Sequence, residues 1–473
     1  MKKPFSIVVA EGDGIGPEIM AVTLGVLQAV KAPLLFQHIE IGEKIYLQGE
    51  TTGISEKSHH LLTQADAFLK APVTTPQGGG CKSVNVTIRG WFGLFANVRP
   101  CLAYPPFVPT KHPRLDVVII RENEEDLYTG IEYRQSRGTY QALKILTEEG
   151  CSRIIHYAFA YARAHGRKKV TCFTKDNILK MTDGLFHKLF EKIALDYPEI
   201  EKEHWIVDIG SAKLADTPES FDVIVLPNLY GDILSDVAAQ LAGSVGLAGS
   251  ANIGYKYAMF EAIHGSAPKR AGQNIVNLSG LLLASVQMLA HLGCIQEAEI
   301  VHNAWLKTIE DGLHTYDIYN PSTSQRKVGT KEFGQAVIAR LGENPLQFTP
   351  VRYQKPLSLP KVLPPPTHLQ KEFIGADLFI DGEEDWEELR KKIESCLDPI
   401  FRLESIYNRG ASVWPMRSHF VNVSDVWRFR VTATSQQGTL AYSKFLRVLG
   451  RLWQEQQISI TQWTGRFNFP PEE

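Results

Sequence analysis

The sequence predicts an α/β protein, with a core built on a largely parallel sheet followed by a smaller ferredoxin-like βαββαβ module. Three observations lead there. Short β-branched apolar runs ("FSIVVA", "AFLKAPV", "DVVII", "KVTCFT", "FDVIVLP") alternate with helical stretches at 17–30, 150–165 and 177–196, the pattern of strands joined by crossover helices. The proline-rich stretch 349–367, "TPVRYQKPLSLPKVLPPPT", then breaks the alternation and reads as an extended, semi-rigid spacer. Beyond it, "FIGADLFID", "EEDWEELRKKIESCL", "FRLESIYNRG", "VWRFRVTAT", "TLAYSKFLRVLGRLWQE" and "ISITQWTGRF" read strand, helix, strand, strand, helix, strand.

With 473 residues, 44% of them hydrophobic, the chain can bury a large core and form more than one domain. A formal net charge of −2 gives no global basic field for nucleic acid or an acidic membrane. The amino-terminal apolar run is too short for a signal peptide. "LSGLLLASVQMLAHLG", 278–293, carries polar interruptions and reads as a buried helix rather than a membrane span. The cysteines at 81, 101, 151, 172, 294 and 396 are scattered without a C-x-x-C pair. They read as reduced structural thiols of a cytoplasmic protein.

Two glycine-rich stretches invite a phosphate-binding reading. "EGDGIGPE" after the first strand offers G-x-G-x-G-P, one residue short of the dinucleotide fingerprint, although Glu40 stands where a ribose-binding acid would. It is better read as a tight strand-to-helix turn with Pro17 in the first helical turn. "GGGCKS" fails the Walker A register, because Cys81 separates the last glycine from Lys82-Ser83.

The most informative stretch is 221–254, "FDVIVLPNLYGDILSDVAAQLAGSVGLAGSANIG". A buried strand ends at Pro227, Asn-Leu-Tyr-Gly is expected to form a short loop, and a helix follows. Asp232 and Asp236 are four apart and so share a helix face. Their mutual repulsion is relieved by a cation, and oxygen ligands suit a hard divalent ion such as Mg2+ or Mn2+. The plain alternative is a solvated helix start, where Asp favours the helix dipole.

"NLYGDILSD" with the glycine-rich run after it resembles the signature of the β-decarboxylating dehydrogenases, the isocitrate/isopropylmalate dehydrogenase family. Further motifs follow the family's order: "RENEEDLYTGIEY" (121–133), "TKDNILKMTDG" (174–184) and "HGSAPKRAGQNIVN" (264–277). The resemblance runs from about residue 5 to 345 and implies a two-domain core that is not a Rossmann fold. Residues 1–94 and 243–348 would form a large domain. Residues 95–125 and 148–242 would form a small domain with the dimer interface, and 126–147 an arm or clasp. Residues 349–368 would be the linker and 369–473 the C-terminal α+β module. The opening glycine loop would line the cleft beside the cofactor.

Within the family, "KSVNVTIRG" resembles the isocitrate type, since isopropylmalate enzymes carry Glu and Leu on this helix. The resemblance implies that Ser83 and Asn85 hold the γ-carboxylate of isocitrate. Arg89, Arg99 and Arg121 would hold the other carboxylates through charge-assisted pairs, with Thr75 and Asn177 as further substrate contacts. Asp232 would be the main metal ligand, Asp236 would lie beside it, and Asp208 would come from the partner subunit. Lys175, also from the partner, would relay the hydroxyl proton, and Tyr128 would protonate C3 after CO2 leaves. The active unit would therefore be a homodimer with composite sites, and the intact residue set argues against a catalytically dead structural or RNA-associated relative.

Thr74, His264, Gly265, Ser266, Ala267, Lys269, Arg270, Asn277 and Tyr316 are the implied cofactor residues. NAD-specific members resemble one another in placing Asp directly after "HGSAP"; Lys269-Arg270 here implies NADP+, whose 2′-phosphate two cations can pair. Asn320 departs from the Arg often found there in NADP-type relatives, and Arg326 or Lys327 could substitute. The alternative activity is a homoisocitrate or other 3-substituted malate dehydrogenase using NAD+. The C-terminal module resembles an extension in a bacterial subgroup of isocitrate dehydrogenases. Its tryptophans at 386, 414, 427, 453 and 463 favour core or interface roles over an effector cage.

Overall fold

In the computed structural model, which describes residues 3–75, 83–354, 371–382, 384–415, 422–434 and 438–469, the apolar runs pair into one ten-stranded sheet. Its order is Leu34–Ile39, Phe5–Ala10, Ala67–Lys70, Ala258–Ala262, Gly249–Ile253, Ala96–Leu102, Asp116–Glu122, Val223–Leu226, Lys169–Thr174 and Glu201–Ile206. Pairing is parallel on both flanks and antiparallel across the middle, where Gly249–Ile253 and Ala96–Leu102 meet each other and their outer neighbours. Helices cover both faces, which is why the strands are apolar on both sides. Val118 and Ile120 enter one core cluster while Val117 and Ile119 enter another. The helix Ser279–His291 is the buried helix expected from its sequence, and no described helix is long and apolar enough to cross a membrane.

The chain divides into two compact units: residues 1–129 with 144–363, and residues 130–143 with 364–473. The second unit holds a five-stranded antiparallel sheet in the order Ala411–Trp414, Phe401–Asn408, Val426–Ala433, Glu372–Asp381, Ile460–Asn468, with helices Trp386–Cys396 and Gly438–Gln456. Four of those strands and both helices are the expected βαββαβ order. Ala411–Trp414 is an added strand, formed because Arg409-Gly410 takes left-handed backbone and folds the chain back as a hairpin. Trp427 is buried in this unit's core and Trp386, Trp414 and Trp463 pack against it, whereas Trp453 is exposed. The unit also contains the hairpin Glu132–Arg134 with Tyr140–Ala142. Asp425 accepts from the Gly138 amide (3.1 Å) and the Thr139 hydroxyl (2.7 Å), and Gln135 donates to Gln462 (2.8 Å).

Two local expectations are corrected. Asn-Leu-Tyr-Gly is the first turn of the helix Asn228–Leu241 rather than a loop, because the Gly231 amide already reaches the Pro227 carbonyl (2.9 Å). The helix expected from 177 is shorter, Thr182–Ile193, followed by a 3-10 turn. The Asp183 carboxylate accepts the Lys175 amide (2.7 Å) and folds the preceding residues into turns. The opening loop is the tight turn expected, with Pro17 in the first turn of Gly16–Ala29. Gly14 has φ +59°, and a Cβ there would lie 2.0 Å from the Ser266 carbonyl oxygen. Cys81, most of "GGGCKS" and most of the proline-rich spacer lie outside the described residues.

Candidate active site

The site begins at the mixed centre of the large sheet. Register places Lys70 opposite Glu261, where two apolar strands each carry a buried charge. Lys70 Nζ lies 2.9 Å from Glu261 Oε2, while Arg89 Nη2 (3.1 Å) and Asn252 Nδ2 (3.0 Å) donate to Oε1. Burial would raise the Glu261 carboxyl, but Lys70 and Arg89 outweigh it and hold it well below the usual range. Ser83 is the N-cap of Val84–Trp91, the helix that carries Asn85 and Arg89.

Two further arginines converge from adjacent strands. Arg99 donates to Asn97 (2.5 Å) and Ser235 (2.6 Å) and lies 3.5 Å from Asp232 and 3.6 Å from Asp236. Arg121 donates to Asn228 Oδ1 (2.9 Å), pairs directly with Asp232, and sits 4.7 Å over the Tyr128 ring. Gly231 lets it pass: a Cβ there would lie 2.5 Å from Arg121 Cγ. Tyr128 donates its hydroxyl to Asp232 (2.5 Å). Burial and the nearby Arg99 and Arg89 pull the Arg121 guanidinium down to about 9. Burial would raise Asp232, yet Arg121 and Arg99 hold it below the ordinary carboxylate range. Burial raises the Tyr128 phenol, and Asp232 adds to that against the pull of Arg121.

These groups line a cavity of about 230 Å³ that includes Lys70, Ser83, Asn85, Arg89, Arg99, Arg121, Tyr128, Asp232, Glu261, His264 and Gly265. Arg121 Nη2, Arg89 Nε and Asn85 Oδ1 are buried without a hydrogen-bond partner. The two open arginine donors fit an anion with several oxygens, and the Asn85 oxygen can accept from a hydroxyl. Asp232 and Asp236 add two carboxylates on one helix face, a donor set that fits a hard divalent ion.

Lys175, Asp208, Thr75 and Asn177 do not line that cavity. Lys175 Nζ donates to Asp208 Oδ1 (2.8 Å), and the Asp208 side chain is 67% exposed; this hydrogen bond holds its carboxyl below the usual range. Thr75 and Asn177 are exposed, and the Asp236 side chain is 60% exposed.

The implied cofactor residues gather beside the opening loop. Thr74 and Ser266 hydroxyls lie 2.7 Å apart, Asp13 accepts the Thr74 amide (2.8 Å), and the Ile15 amide donates to the Ser266 carbonyl (2.9 Å). Ala267 has left-handed backbone, φ +38°, which turns Lys269 and Arg270 outward as exposed cations. The Arg270 guanidinium sits 4.7 Å over the Tyr316 ring. Tyr316 also lines a shallow cavity of about 380 Å³ with Asn274, Arg326, Lys327 and Glu332. Asn277 donates to Asp317 (3.0 Å), while the Asn320 amide is taken by Ser324 (2.9 Å).

Residues 6–337 match the family described as isocitrate/isopropylmalate dehydrogenase, and residues 371–470 match the C-terminal domain of bacterial isocitrate dehydrogenase. The chain belongs to the isocitrate/isopropylmalate dehydrogenase family. It is 49% identical to isocitrate dehydrogenase [NADP] of Rickettsia bellii over 94% of this chain and 93% of that one. It is 41% identical to isocitrate dehydrogenase [NADP] of Thermus thermophilus over 91% of this chain and 87% of that one. Among solved structures, the TT0538 protein of Thermus thermophilus superposes with a TM-score of 0.92 at 39% identity, covering 98% of this chain and 94% of that one. Isocitrate dehydrogenase from Methylococcus capsulatus gives 0.68 at 38% identity, covering 71% of this chain and 99% of that one.

Sequence reasoning about this family member missed two groups of residues. Lys70, Glu261, Asn97 and Asn252 form the polar floor; the available signal was a charged residue inside otherwise apolar strands, "AFLK" and "AMFEA". The second group steadies Tyr128. Asp126 accepts the Leu229 amide at the start of Asn228–Leu241 (2.9 Å) and Lys144 Nζ (2.5 Å), tying the turn that carries Tyr128 to the helix that carries Asp232. No local pattern marked those contacts.

Proposed function

We propose that the chain catalyses oxidative decarboxylation of isocitrate to 2-oxoglutarate and CO2, with NADP+ and Mg2+ or Mn2+, as a cytoplasmic homodimer. The convergence of Arg89, Arg99 and Arg121 with Ser83 and Asn85 on one small cavity supports this reading, because a tricarboxylate needs that many donors. Ser83 at the N-cap and Asn85 in the helix Val84–Trp91 take the γ-carboxylate, and the arginines fix the remaining carboxylates so that C2 and C3 are held in one orientation. Asp232 and Asp236 would hold the divalent ion. When bound, the ion supplies a Lewis acid at the C2 oxygen and NADP+ supplies the hydride acceptor.

Tyr128 keeps its proton at neutral pH and presents it at C3 once CO2 has left. Lys175 takes the C2 hydroxyl proton. Because Lys175 and Asp208 lie outside their own chain's cavity, they serve the partner's, and Asp208 completes the carboxylate set there. The five described cysteines are buried and reduced, which fits the cytoplasm. Lys269, Arg270, Arg326 and Lys327 around Tyr316 favour the 2′-phosphate of NADP+, and Arg326 and Lys327 stand in for the cation absent at Asn320. The large and small domains divide near 94 and 243, and the C-terminal module holds the arm through Asp425 and Gln462.

Reduced cofactor formed from isocitrate, and not from isopropylmalate, only when Mg2+ or Mn2+ is present, with kcat/KM higher for NADP+ than NAD+, is the expected result. Equal turnover of isopropylmalate, or a preference for NAD+, would overturn the assignment.

A further inference from the structure

A second group of metal-ligating side chains lies away from Asp232 and Asp236 and plays no part in the proposed mechanism. It draws on three elements: Asp176 just after the strand Lys169–Thr174, His187 in the helix Thr182–Ile193, and His204 on the edge strand Glu201–Ile206. The two imidazoles stack with centroids 3.5 Å apart and planes 13° from parallel. His187 Nδ1 lies 2.7 Å from Asp176 Oδ2, and His204 Nε2 lies 2.8 Å from the Thr174 hydroxyl. One donor atom from each of Asp176, His187 and His204 falls within 4.8 Å of the others, and all three residues are only partly buried.

We propose that Asp176, His187 and His204 form a second divalent-metal site, which takes a borderline transition metal such as Zn2+ or Co2+ rather than Mg2+. A neutral imidazole offers a nitrogen lone pair to a metal, and two stand side by side here. Burial and the neighbouring His187 push the His204 imidazole below its ordinary value. Burial would raise the Asp176 carboxyl, but the hydrogen bond from His187 and the nearby His204 hold it below its ordinary range. A nitrogen–nitrogen–oxygen set prefers zinc-like ions, whereas the all-carboxylate pair at Asp232 and Asp236 prefers Mg2+ or Mn2+. A zinc-like ion sits about 2.0–2.2 Å from each donor, so the hydrogen-bonded His187–Asp176 pair opens, the wider-spaced donors close by about an ångström, and the rings tilt about their side-chain bonds. Ligation through His187 Nδ1 moves the ring proton, now on the hydrogen bond to Asp176, to Nε2, so the imidazole stays neutral. Glu191 Oε1, 3.9 Å from His187 Nε2 and already paired with Lys202, is a further carboxylate beside the cluster, and water would fill the open position.

The test uses tag-free, chelator-treated full-length protein dialysed against Co2+ with millimolar Mg2+ present. The expected result is one Co2+ per chain that Mg2+ does not displace. It should persist in Asp232→Asn and Asp236→Asn and vanish in His187→Asn and His204→Asn. Asp176→Asn, which keeps both rings, should bind at least 10-fold more weakly. Titration of the wild-type protein with Cu2+ followed by electron paramagnetic resonance needs no variant to fold, and should show hyperfine coupling to two imidazole nitrogens. Retention of the Mg2+-resistant Co2+ in both histidine variants, its complete displacement by Mg2+ in the wild type, or a Cu2+ spectrum with oxygen ligands alone would overturn the proposal.

Discussion

The cavity around Arg121 and the Lys175–Asp208 edge carry the same kinds of charge in opposite settings. In the cavity, Lys70, Arg89, Arg99, Arg121 and Glu261 are nearly all removed from water, and each is held by neighbours in fixed directions. At the edge, the half-buried Lys175 and the exposed Asp208 pair with each other, with no further side-chain partner at their charged ends among the described residues. Buried charges need pre-arranged partners, so the first region is organised before any ligand arrives. In the proposed homodimer the second region is organised by the subunit that docks on it. The difference separates the half of the proposed site that one chain builds alone from the half that it lends.

The largest effects should come from testing that division directly. Asp232→Asn and Lys175→Met should each lower kcat by about 10²–10⁴-fold without unfolding the chain. In heterodimers, Lys175→Met with Tyr128→Phe should regain activity, because one composite site is then intact. Tyr128→Phe with Asp232→Asn should not, because each site keeps a lesion. Absence of complementation in the first mixture would remove the composite site and with it the contrast between the regions.

Stability should follow burial. Glu261→Ala leaves Lys70 charged, unpaired and fully buried, and should cost about 3–5 kcal/mol by urea unfolding. A loss of under about 1 kcal/mol, the magnitude of a surface pair, would show that the floor is solvated. The exposed cations of the cofactor segment should instead act on affinity: Lys269→Asp with Arg270→Asp should lower kcat/KM for NADP+ relative to NAD+ by about 100-fold, with a salt dependence that the parent ratio exceeds.

The smallest effect concerns Glu122, next to Arg121. Burial raises its carboxyl to about 7, against amide hydrogen bonds from Glu124 and Glu125 that lower it, and against an ordinary value of 4.5. Between those values the folded protein keeps a proton that the unfolded chain has lost. Stability therefore falls as pH rises from about 4.5 through about 7, by on the order of 3 kcal/mol. Glu122→Gln should flatten that slope in unfolding curves taken across the window, and an unchanged slope would place the carboxylate in a more polar setting than its burial indicates.

Much of the fold was legible because its signals are local. Apolar runs of two-sided strands, Pro17 at a helix start and the proline-rich break are each contained within a few residues. The strand Ala411–Trp414 was missed because four residues carry little periodicity, and the helical start at Asn228 because a Pro-Asn-Leu-Tyr-Gly stretch has poor helix propensity. Tertiary contacts overrode that propensity, with Asn228 bonded to Arg121 and to the Glu125 carbonyl. The shortened helix at Thr182 has a more local origin, in the hydrogen bond that Asp183 accepts from the Lys175 amide eight residues before it.

By itself the sequence determined the order of the elements, the family, and which residue types stand at Ser83, Arg121, Tyr128, Lys175 and Asp232, since motif spacing is a property of the chain. Only the tertiary structure decided that Lys70 and Glu261 close the floor of the cavity, that Asp126 and Lys144 steady Tyr128, and that Asp176, His187 and His204 come together. Those groups sit on separate strands and helices, and sheet register, which a linear pattern does not carry, sets their distances.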